Sequence, residues 1–341
     1  MKTEVLSTHT PALFDAAVKR AAEMLRAGNV VALPTETVYG LAANALDAKA
    51  VAQIFQIKGR PAKNPIIVHV AGLDMAQHCC AQWPGAAEKL ARAFWPGPFT
   101  MVLPRSRIIP KIVTAGGRTV GVRWPAHPFI QAVIRRCEFP LAAPSANLSS
   151  RISPTTAEHV RRQLGGKIAL IVDGGQSQVG IESTVLDLTP LLSTRAGPAR
   201  ILRPGMIHAE ALAAVAGNIQ HSTSNHQPRT LRSPGLLTKH YAPRAKLLVL
   251  HWRDDADLAS QLVTCHASPV TSHIIAHTKI PSGRPFSSVS VVPHDAEAFA
   301  RALYGELHRC DDAGAETIVV EAPPETPEWA GIADRLRRAA T

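Results

Sequence analysis

The stretch NVVALPTETVYGLAANALDAKAVAQIFQIKG, residues 29–59, holds a strand followed by a helix and sets the fold class. Residues 29–33 form a short apolar run that predicts a buried strand, which Pro34 ends. Further along, Asp47 is suited to cap a helix. The apolar residues after it repeat at the spacing of one helix face: Val51, Ile54 and Phe55. With Gly59 as the expected stop, this stretch predicts one strand–helix unit of an α/β domain.

The same alternation continues on both sides of this stretch. A helix is predicted over residues 13–27, and others over 84–94, 126–136 and 154–164. Further strands are predicted over 65–70, 99–103, 120–124, 140–144, 168–172, 184–188 and 199–203. Several of these strands follow one another without room for a crossover helix. The prediction is therefore an α/β fold with a twisted mixed sheet and flanking helices.

The sequence changes character after Pro204-Gly205. Residues 217–235 are polar and without periodicity, which is typical of a linker or a long functional loop. A second α/β pattern then follows, with strands over 246–250, 272–276, 288–292 and 317–321 and helices over 294–309 and 327–340. We expect a smaller Rossmann-like domain; without G-x-G-x-x-G, no dinucleotide is assigned to it. The predicted boundaries are 1–207, a linker 208–245, and 246–341.

The composition indicates a folded protein in the cytoplasm. The 341 residues are 46% hydrophobic and 18% charged, with neither a run long enough to cross a membrane nor a signal peptide after Met1. Five cysteines lack C-x-x-C spacing and fifteen histidines lack H-E-x-x-H, so no metal-ligating residues are assigned. The net charge of +11 favours anionic partners such as nucleotides or RNA, although the basic residues are dispersed.

Polar groups recur beside prolines at the ends of the predicted strands. The segments are Pro34-Thr35-Glu36-Thr37, Asn64-Pro65, Arg123-Trp124-Pro125, Pro144-Ser145-Ala146-Asn147 and Arg203-Pro204. Strand ends are where open α/β sheets collect ligand groups, and proline fixes the local backbone. We therefore predict a binding site at this edge.

The stretch KGRPAKNP, residues 58–65, places three cations within six positions between two prolines. These charges repel one another unless an anion or solvent screens them, so the stretch is either an anion site or an ordinary surface loop. No G-x-x-x-x-G-K-[ST] motif is present, so discrete side chains would have to hold any triphosphate.

Three residues have two interpretations each. Ser153 before Pro154 predicts a helix N-cap, which either binds a phosphate or only caps the helix. Arg123 on an apolar strand needs an acceptor, which is either a ligand carboxylate or an internal Asp or Glu. His69, on the same strand face as Ile67, is more often a satisfied core residue than a ligand.

Taken together, the chain resembles the threonylcarbamoyl-AMP synthase family (YrdC/TsaC-like), in its longer form with an additional C-terminal domain. The matching segments cover nearly all of residues 20–245: PTETVYGLAANALD (34–47), KGRPAKNPIIVHV (58–70), FWPGPFTMVLP (94–104), VGVRWPAHP (120–128), PLAAPSANLS (140–149), SPTTAEHV (153–160), GIESTVLDL (180–188), ILRPG (201–205) and HYAP (240–243). The sequence departs from the family pattern at Ser150-Arg151, at Gln176-Ser177 and at Ala43, which affects loops more than polar groups.

The resemblance implies that L-threonine, bicarbonate or CO2, and ATP give threonylcarbamoyl-AMP and pyrophosphate. It implies ATP-facing residues Lys58, Arg60, Asn64, Thr119, Ser145, Asn147, Ser153, Arg203 and Tyr241, of which Lys58, Arg60, Ser145 and Asn147 are catalytic. The implied threonine-facing residues are Thr35, Thr37, His69, Arg123, Ala143 and Ser183. Mg²⁺ would come with ATP, a tRNA threonylcarbamoyltransferase would use the product, and tRNA is a further candidate contact. The linker with Ser233-Pro234-Gly235 and His240-Tyr241 would act as a lid.

Two other function classes fit parts of the sequence. The positive charge would suit a non-catalytic RNA-binding protein, but no aromatic stacking motif supports that interpretation. A carbamoyltransferase of the hydrogenase-maturation type shares the first domain. Proteins of that type also carry paired C-x-x-C motifs and an acylphosphatase-like segment, and this sequence has neither.

Overall fold

A computed structural model describes residues 2–193, 197–221, 233–234, 240–282 and 285–341. The chain divides into two compact units, which are treated separately below. The N-terminal unit comprises Met1–Ser149 with Ser153–Leu236, and the C-terminal unit comprises Ser150–Ile152 with Leu237–Thr341. Of the predicted linker, residues 222–232 and 235–239, including Gly235, lie outside the described residues.

The N-terminal unit is built on one mixed sheet of eleven strands, which confirms the predicted α/β class. The strands are β1 (Glu4–Ser7), β2 (Val31–Leu33), β3 (Gly40–Asn44), β4 (Val68–His69), β5 (Phe99–Pro104), β6 (Thr119–Arg123), β7 (Leu141–Ala142), β8 (Leu170–Asp173), β9 (Thr184–Asp187), β10 (Ala199–Arg203) and β11 (Ile219–His221). Their order is β1-β8-β2-β3-β7-β4-β6-β5-β9-β10-β11. Parallel pairs such as β4–β6 alternate with antiparallel pairs such as β5–β6.

Helices cover this sheet and supply its apolar core. They are α1 (Pro11–Arg26), α2 (Ala48–Lys58), α3 (Leu73–Cys79), α4 (Gly85–Phe94), α5 (Pro128–Cys137), α6 (Ala157–Leu164) and α7 (Ala209–Ala216). The start and end predicted for α2 are confirmed. The Asp47 carboxylate accepts the backbone N–H of Lys49 at 2.8 Å, and Gly59 takes the left-handed conformation at φ 60°.

The predicted helix 154–164, with Ser153 as its N-cap, is wrong at its start. Helix α6 begins at Ala157, and the hydroxyl of Thr156 accepts the His159 N–H at 3.2 Å. Thr156 holds the extended backbone that an N-cap needs, so the helix starts three residues later than predicted. The Ser153 hydroxyl instead donates to Glu182 Oε1 at 2.6 Å.

Two predicted strands are shorter in the structure than in the sequence analysis. The strand predicted over 65–70 comprises Val68–His69 in the structure, and the strand predicted over 140–144 comprises Leu141–Ala142. Pro140 and Pro144 flank the second strand and Pro65 precedes the first, and proline cannot donate to a ladder, which limits strand length. Strands β1, β3 and β11 and helices α3 and α7 were not predicted.

The C-terminal unit has a parallel four-stranded sheet with helices between its strands, as predicted. Its elements are β12 (Lys246–Leu250), α8 (Asp255–Thr264), β13 (Ser272–Ala276), β14 (Ser288–Val291), α9 (Ala296–Asp312), β15 (Thr317–Glu321) and α10 (Ala330–Ala339). The order is β12-β15-β13-β14, and every neighbouring pair is parallel. Only α8 was not predicted. In either unit, no helix of the described residues combines the length and apolar character needed to span a bilayer.

Candidate active site

Arg123, the last residue of β6, is buried and lies against an internal carboxylate. Its Nε donates to the Gly97 carbonyl at 3.3 Å and its Nη1 donates to Thr37 Oγ1 at 2.9 Å. Its Nη2 lies 2.8 Å from Glu36 Oε1, and both side chains are about 5% exposed. The sequence left open whether Arg123 faces a ligand or an internal acid. The structure supplies the acid, Glu36.

This ion pair retains polar atoms that no partner satisfies. Within the described residues, neither Glu36 Oε2 nor Arg123 Nη2 has a hydrogen-bond partner, so the 2.8 Å contact is an ion pair without hydrogen-bond geometry. His69 lies opposite Arg123 in the β4–β6 register, and its Nδ1 is also without a partner in this part of the chain. Buried polar atoms are nearly always paired in folded proteins, so this cluster indicates a ligand site.

The protonation states of these groups follow from their surroundings. Burial alone would raise the pKa of Glu36, but the Arg123 charge and the Ala126 N–H outweigh it and hold that pKa below its usual value. The Ala126 N–H donates to Glu36 Oε1 at 2.9 Å. Burial and the nearby Arg123 charge lower the pKa of His69 to about 3. The cluster at neutral pH is therefore a carboxylate, a guanidinium and a neutral imidazole.

The loop after β2 carries Thr35 and Thr37 in a fixed chain of hydroxyls. Thr35 Oγ1 donates to the Val38 carbonyl at 2.6 Å and lies 2.9 Å from Thr37 Oγ1. A hydroxyl has one proton, so Thr37 donates to Thr35 and accepts from Arg123. The Val179 N–H donates to the Glu36 carbonyl at 2.7 Å, which holds the loop from the other side. Both threonines are buried at the Arg123 cluster.

Ser183 and Arg203 form a second polar group next to β9. Arg203 donates from Nε to the Ser183 carbonyl and from Nη2 to Ser183 Oγ, both at 3.1 Å. Ser183 Oγ also lies 2.8 Å from Thr100 Oγ1. The R-P-G turn needs Gly205, because a Cβ there would lie 2.5 Å from the Thr184 backbone nitrogen. Arg203 Nη1 further reaches the carbonyl of Pro234, at 3.5 Å, in the linker.

Lys58 joins the cationic loop to the turn at residues 145–147. Its buried Nζ donates to the carbonyls of Ser145 and Asn147 and lies 3.3 Å from Asn147 Oδ1. Burial, with a smaller contribution from Arg60, lowers the pKa of Lys58 well below its usual value. The two segments on which the predicted ATP site depends are therefore in contact.

Arg60 is held within its own loop. Its Nε donates to the Asn64 carbonyl at 3.0 Å and its Nη2 donates to Asn64 Oδ1 at 2.8 Å. Asn64 is fully buried, and its Nδ2 has no partner among the described residues. That amide is a second indication of a ligand at the same edge.

Backbone hydrogen bonds connect these segments into one region. Tyr39 N–H donates to the Pro154 carbonyl at 2.8 Å, and Ala146 N–H donates to the Tyr39 carbonyl at 2.7 Å. Ala143 N–H donates to the Ile67 carbonyl at 3.1 Å, which places Ala143 beside the strand that carries His69.

Two predicted ATP-facing residues remain, Thr119 and Tyr241. Thr119 is half-buried at the first residue of β6, at the opposite end of that strand from Arg123. Tyr241 belongs to the C-terminal unit, where its ring lies 6.0 Å from that of Tyr304 and the Arg335 guanidinium carbon lies 5.3 Å from its centroid.

Sequence reasoning missed three polar residues of the region, Glu36, Thr100 and Glu182. The signal for Glu36 was its place between Thr35 and Thr37, two residues predicted to face a ligand. Thr100 gave no signal, because it lies within a predicted strand whose other residues are apolar. Glu182, directly before Ser183, became meaningful only when the structure placed it against Ser153.

Comparisons with known proteins identify one family. The family described as "Telomere recombination" (Sua5/YciO/YrdC) matches residues 23–205, and the "Threonylcarbamoyl-AMP synthase, C-terminal domain" family matches residues 207–341. The threonylcarbamoyl-AMP synthase of Pyrococcus abyssi is 38% identical over 334 residues, covering 94% of this chain and 93% of that protein. The Bacillus subtilis enzyme of the same name is 36% identical and covers 99% and 95%.

A solved structure is similar over the whole chain. The crystal structure of P. abyssi Sua5 complexed with L-threonine has a TM-score of 0.89 and 36% identity, and covers 100% of this chain and 98% of that one. Two family matches, two nearly full-length relatives and this structure agree. The chain therefore belongs to the threonylcarbamoyl-AMP synthase family of enzymes.

Proposed function

We propose that this protein joins L-threonine, bicarbonate or CO2, and ATP into threonylcarbamoyl-AMP, with release of pyrophosphate. The observation that carries the proposal is the buried cluster of Glu36, Arg123 and His69, whose unsatisfied atoms lie in the same unit as the contact between Lys58 and the 145–147 turn. A relative bound to L-threonine supports the choice of amino acid.

At the amino-acid end, Arg123 binds the threonine carboxylate through Nη2, which has no hydrogen-bond partner among the described residues. Thr35, Thr37, His69, the backbone at Ala143 and Ser183 surround the rest of the molecule. The threonine ammonium first loses a proton, and the neutral amine then attacks CO2 and loses a second proton, which gives a carbamate. Because His69 is neutral, it does not add a second positive charge beside the guanidinium.

At the nucleotide end, an oxygen of the carbamate attacks the α-phosphorus of ATP and pyrophosphate leaves. Lys58, Arg60, Ser145 and Asn147 are the proposed catalytic residues of this step. Asn64, Thr119, Ser153, Arg203 and Tyr241 are the further proposed ATP-binding residues. No protein nucleophile is required, so catalysis consists of positioning and of stabilising negative charge on the phosphates.

Mg²⁺ is expected to accompany ATP. Across the described ranges, no group of three His, Cys, Asp or Glu side chains is placed to hold a metal ion. No step is therefore assigned to a metal held by the described side chains. The phosphate oxygens of ATP would hold Mg²⁺.

The linker is the proposed lid. Ser233 is 1% exposed and packs in the N-terminal unit, and the Pro234 carbonyl accepts from Arg203. A lid at this position would keep water from the carbamate and from the mixed anhydride, both of which hydrolyse.

The product would serve a tRNA threonylcarbamoyltransferase, which moves the threonylcarbamoyl group onto the adenosine next to the anticodon. We place this activity, a nucleotidyl transfer, in the cytoplasm, and direct contact with tRNA remains part of the proposal. The test is pyrophosphate release measured with threonine or bicarbonate omitted in turn. We expect release only when both are present. ATP turnover that persists without threonine would overturn the proposed reaction.

A further inference from the structure

The buried Glu36 carboxylate has an oxygen that the proposed reaction leaves unused. Glu36 is 4% exposed, and its Oε1 is occupied by the Ala126 N–H and the Arg123 ion pair. Its Oε2 faces no donor among the described residues. A buried anionic oxygen without a donor is costly, so this atom needs a cationic or N–H partner when the site is in use.

The guanidinium of Arg123 also has an atom without a hydrogen-bond partner among the described residues, and this atom is a donor. Within the described residues its Nη2 has no hydrogen-bond acceptor beyond its ion pair with Glu36 Oε1, while Nε and Nη1 donate to Gly97 and Thr37. One ion pair therefore exposes a positive donor at one end and a negative acceptor at the other. A molecule that complements both ends carries a carboxylate and an ammonium close together, which describes an α-amino acid as a zwitterion.

We propose that Glu36 Oε2 accepts an N–H of the substrate ammonium while Arg123 binds the substrate carboxylate. This inference rests on the proposed function and adds a binding residue to it. Glu36 then selects amino acids over hydroxy acids and other carboxylates, and it fixes which side of the α-carbon presents nitrogen to CO2. The selection is electrostatic and lasts as long as the amine carries its proton.

The neighbours of Glu36 do not change charge in the relevant pH range. Arg123 on β6 and His127 before α5 interact with it, and His69 on β4 lies opposite Arg123. Burial lowers the pKa of His127, although Glu36 opposes this shift, and the pKa of His69 is about 3. Both imidazoles are therefore neutral above about pH 7. The amine of the ligand is the group near Glu36 that titrates there.

The experiment combines one side-chain change with one change in the ligand. Binding of threonine and of its 2-hydroxy analogue, which lacks the ammonium, is measured by calorimetry with the full-length protein and with Glu36→Gln. We expect Glu36→Gln to lower the affinity for threonine at least about tenfold. The hydroxy analogue should bind to Glu36→Gln as tightly as it binds to the parent protein, or more tightly. A loss of equal size for both ligands would overturn the inference, because Glu36 would then act only by holding Arg123.

A pH series gives a second readout that a purely structural role would not change. The loss of threonine affinity caused by Glu36→Gln should become smaller as the pH rises from about 7 to about 9.5. The reason is that a neutral amine no longer needs a carboxylate partner. Burial lowers the pKa of Lys58 in both proteins, so any effect of Lys58 on binding cancels in their ratio. A defect that stays constant across this range contradicts the inference.

Controls separate this inference from the proposed function and from misfolding. Glu158→Gln changes an exposed carboxylate of the same unit and should leave both affinities unchanged. Glu36→Asp retains the charge and should keep the preference for threonine over the hydroxy analogue, even if its affinity falls. If the parent protein itself fails to bind threonine, the proposed function fails. If the parent binds threonine and Glu36→Gln binds it equally well, only the role of Glu36 is overturned.

Discussion

Each unit of this protein buries an arginine against a carboxylate, and the two pairs differ in how completely they are satisfied. In the C-terminal unit, Asp334 accepts from Arg335 at 3.0 Å, from Arg337 at 2.7 Å and from Arg338 at 3.1 Å, so both of its oxygens have donors. In the N-terminal unit, Glu36 Oε2 and Arg123 Nη2 have no hydrogen-bond partner in the part of the chain that the structure describes.

Burial does not account for this difference. The side chains of Asp334 and Arg335 are 3% and 0% exposed, and those of Glu36 and Arg123 are 6% and 5% exposed. In both carboxylates, arginine charges outweigh burial and hold the pKa below its usual value. The saturated pair therefore has a structural role, whereas the unsaturated pair has the properties of a binding site.

The largest effect on stability is expected at the saturated pair. Asp334→Ala leaves Arg335 buried without its carboxylate and should destabilise the C-terminal unit by about 3–5 kcal/mol. Hydrogen exchange of α9 and α10 would measure this loss. Asp257→Ala removes an ion pair with the exposed Arg253 and should cost less than about 1 kcal/mol. Similar small losses in both variants would show that the Asp334 cluster is not structural.

The largest effect on binding is expected at the unsaturated pair. Arg123→Ala should weaken threonine binding by about 2–4 kcal/mol, or roughly 30- to 1,000-fold in affinity. The affinity for an ATP analogue should stay within about threefold of that of the parent protein. Arg123→Lys keeps a charge beside Glu36 but lacks the planar fork, so it should fold normally and still bind threonine poorly. Calorimetry with each ligand decides the matter, and an equal loss for threonine and ATP would contradict the assigned role.

An effect that depends on pH is expected at His69, which lies opposite Arg123 in the β4–β6 register. His69 has a pKa of about 3 in the folded protein, below its ordinary value of 6.5. The unfolded chain takes up a proton below pH 6.5 that the folded protein does not, so this histidine contributes stability above pH 6.5 that is lost as the pH falls towards 3. The slope approaches about 1.4 kcal/mol per pH unit. Urea denaturation of the N-terminal unit at several pH values should show a flatter acid limb for His69→Gln, and an unchanged slope would contradict the buried neutral state.

The smallest expected effect concerns backbone strain at Ser150. Ser150 has φ 67°, a left-handed conformation that costs a side chain more than it costs glycine. Ser150→Gly should raise stability by about 0.5–1 kcal/mol and leave threonine affinity unchanged. Thermal denaturation measures the gain. A loss of stability would mean that the Ser150 side chain makes a contact worth more than the strain.

The sequence predicted those parts of the fold that depend on local periodicity. Strands Ala199–Arg203, Lys246–Leu250, Ser272–Ala276 and Thr317–Glu321 occur where they were predicted. Strand β3 was missed, because its Gly-Leu-Ala-Ala-Asn sequence has no alternation and only its pairing with β2 and β7 makes it a strand. The N-cap at Ser153 failed because two hydroxyl residues three positions apart compete for one helix start.

For the site, sequence identified the polar residues but not their pairing. The sequence allowed either a ligand or an internal acid as the partner of Arg123. Local patterns could not identify Glu36 as that partner, since it lies 87 residues earlier. The contact of Lys58 with the 145–147 turn depends on the sheet that brings both together. What remained hidden is thus the set of atoms that folding leaves unsatisfied, which is a property of the tertiary structure.

The most direct measurement is a crystal structure of this protein with L-threonine. The account predicts a threonine carboxylate within hydrogen-bond distance of Arg123 Nη2, with the threonine nitrogen near Glu36 Oε2 and the side chain towards Thr35 and Ser183. Threonine bound elsewhere, with the Arg123–Glu36 pair untouched, would contradict it.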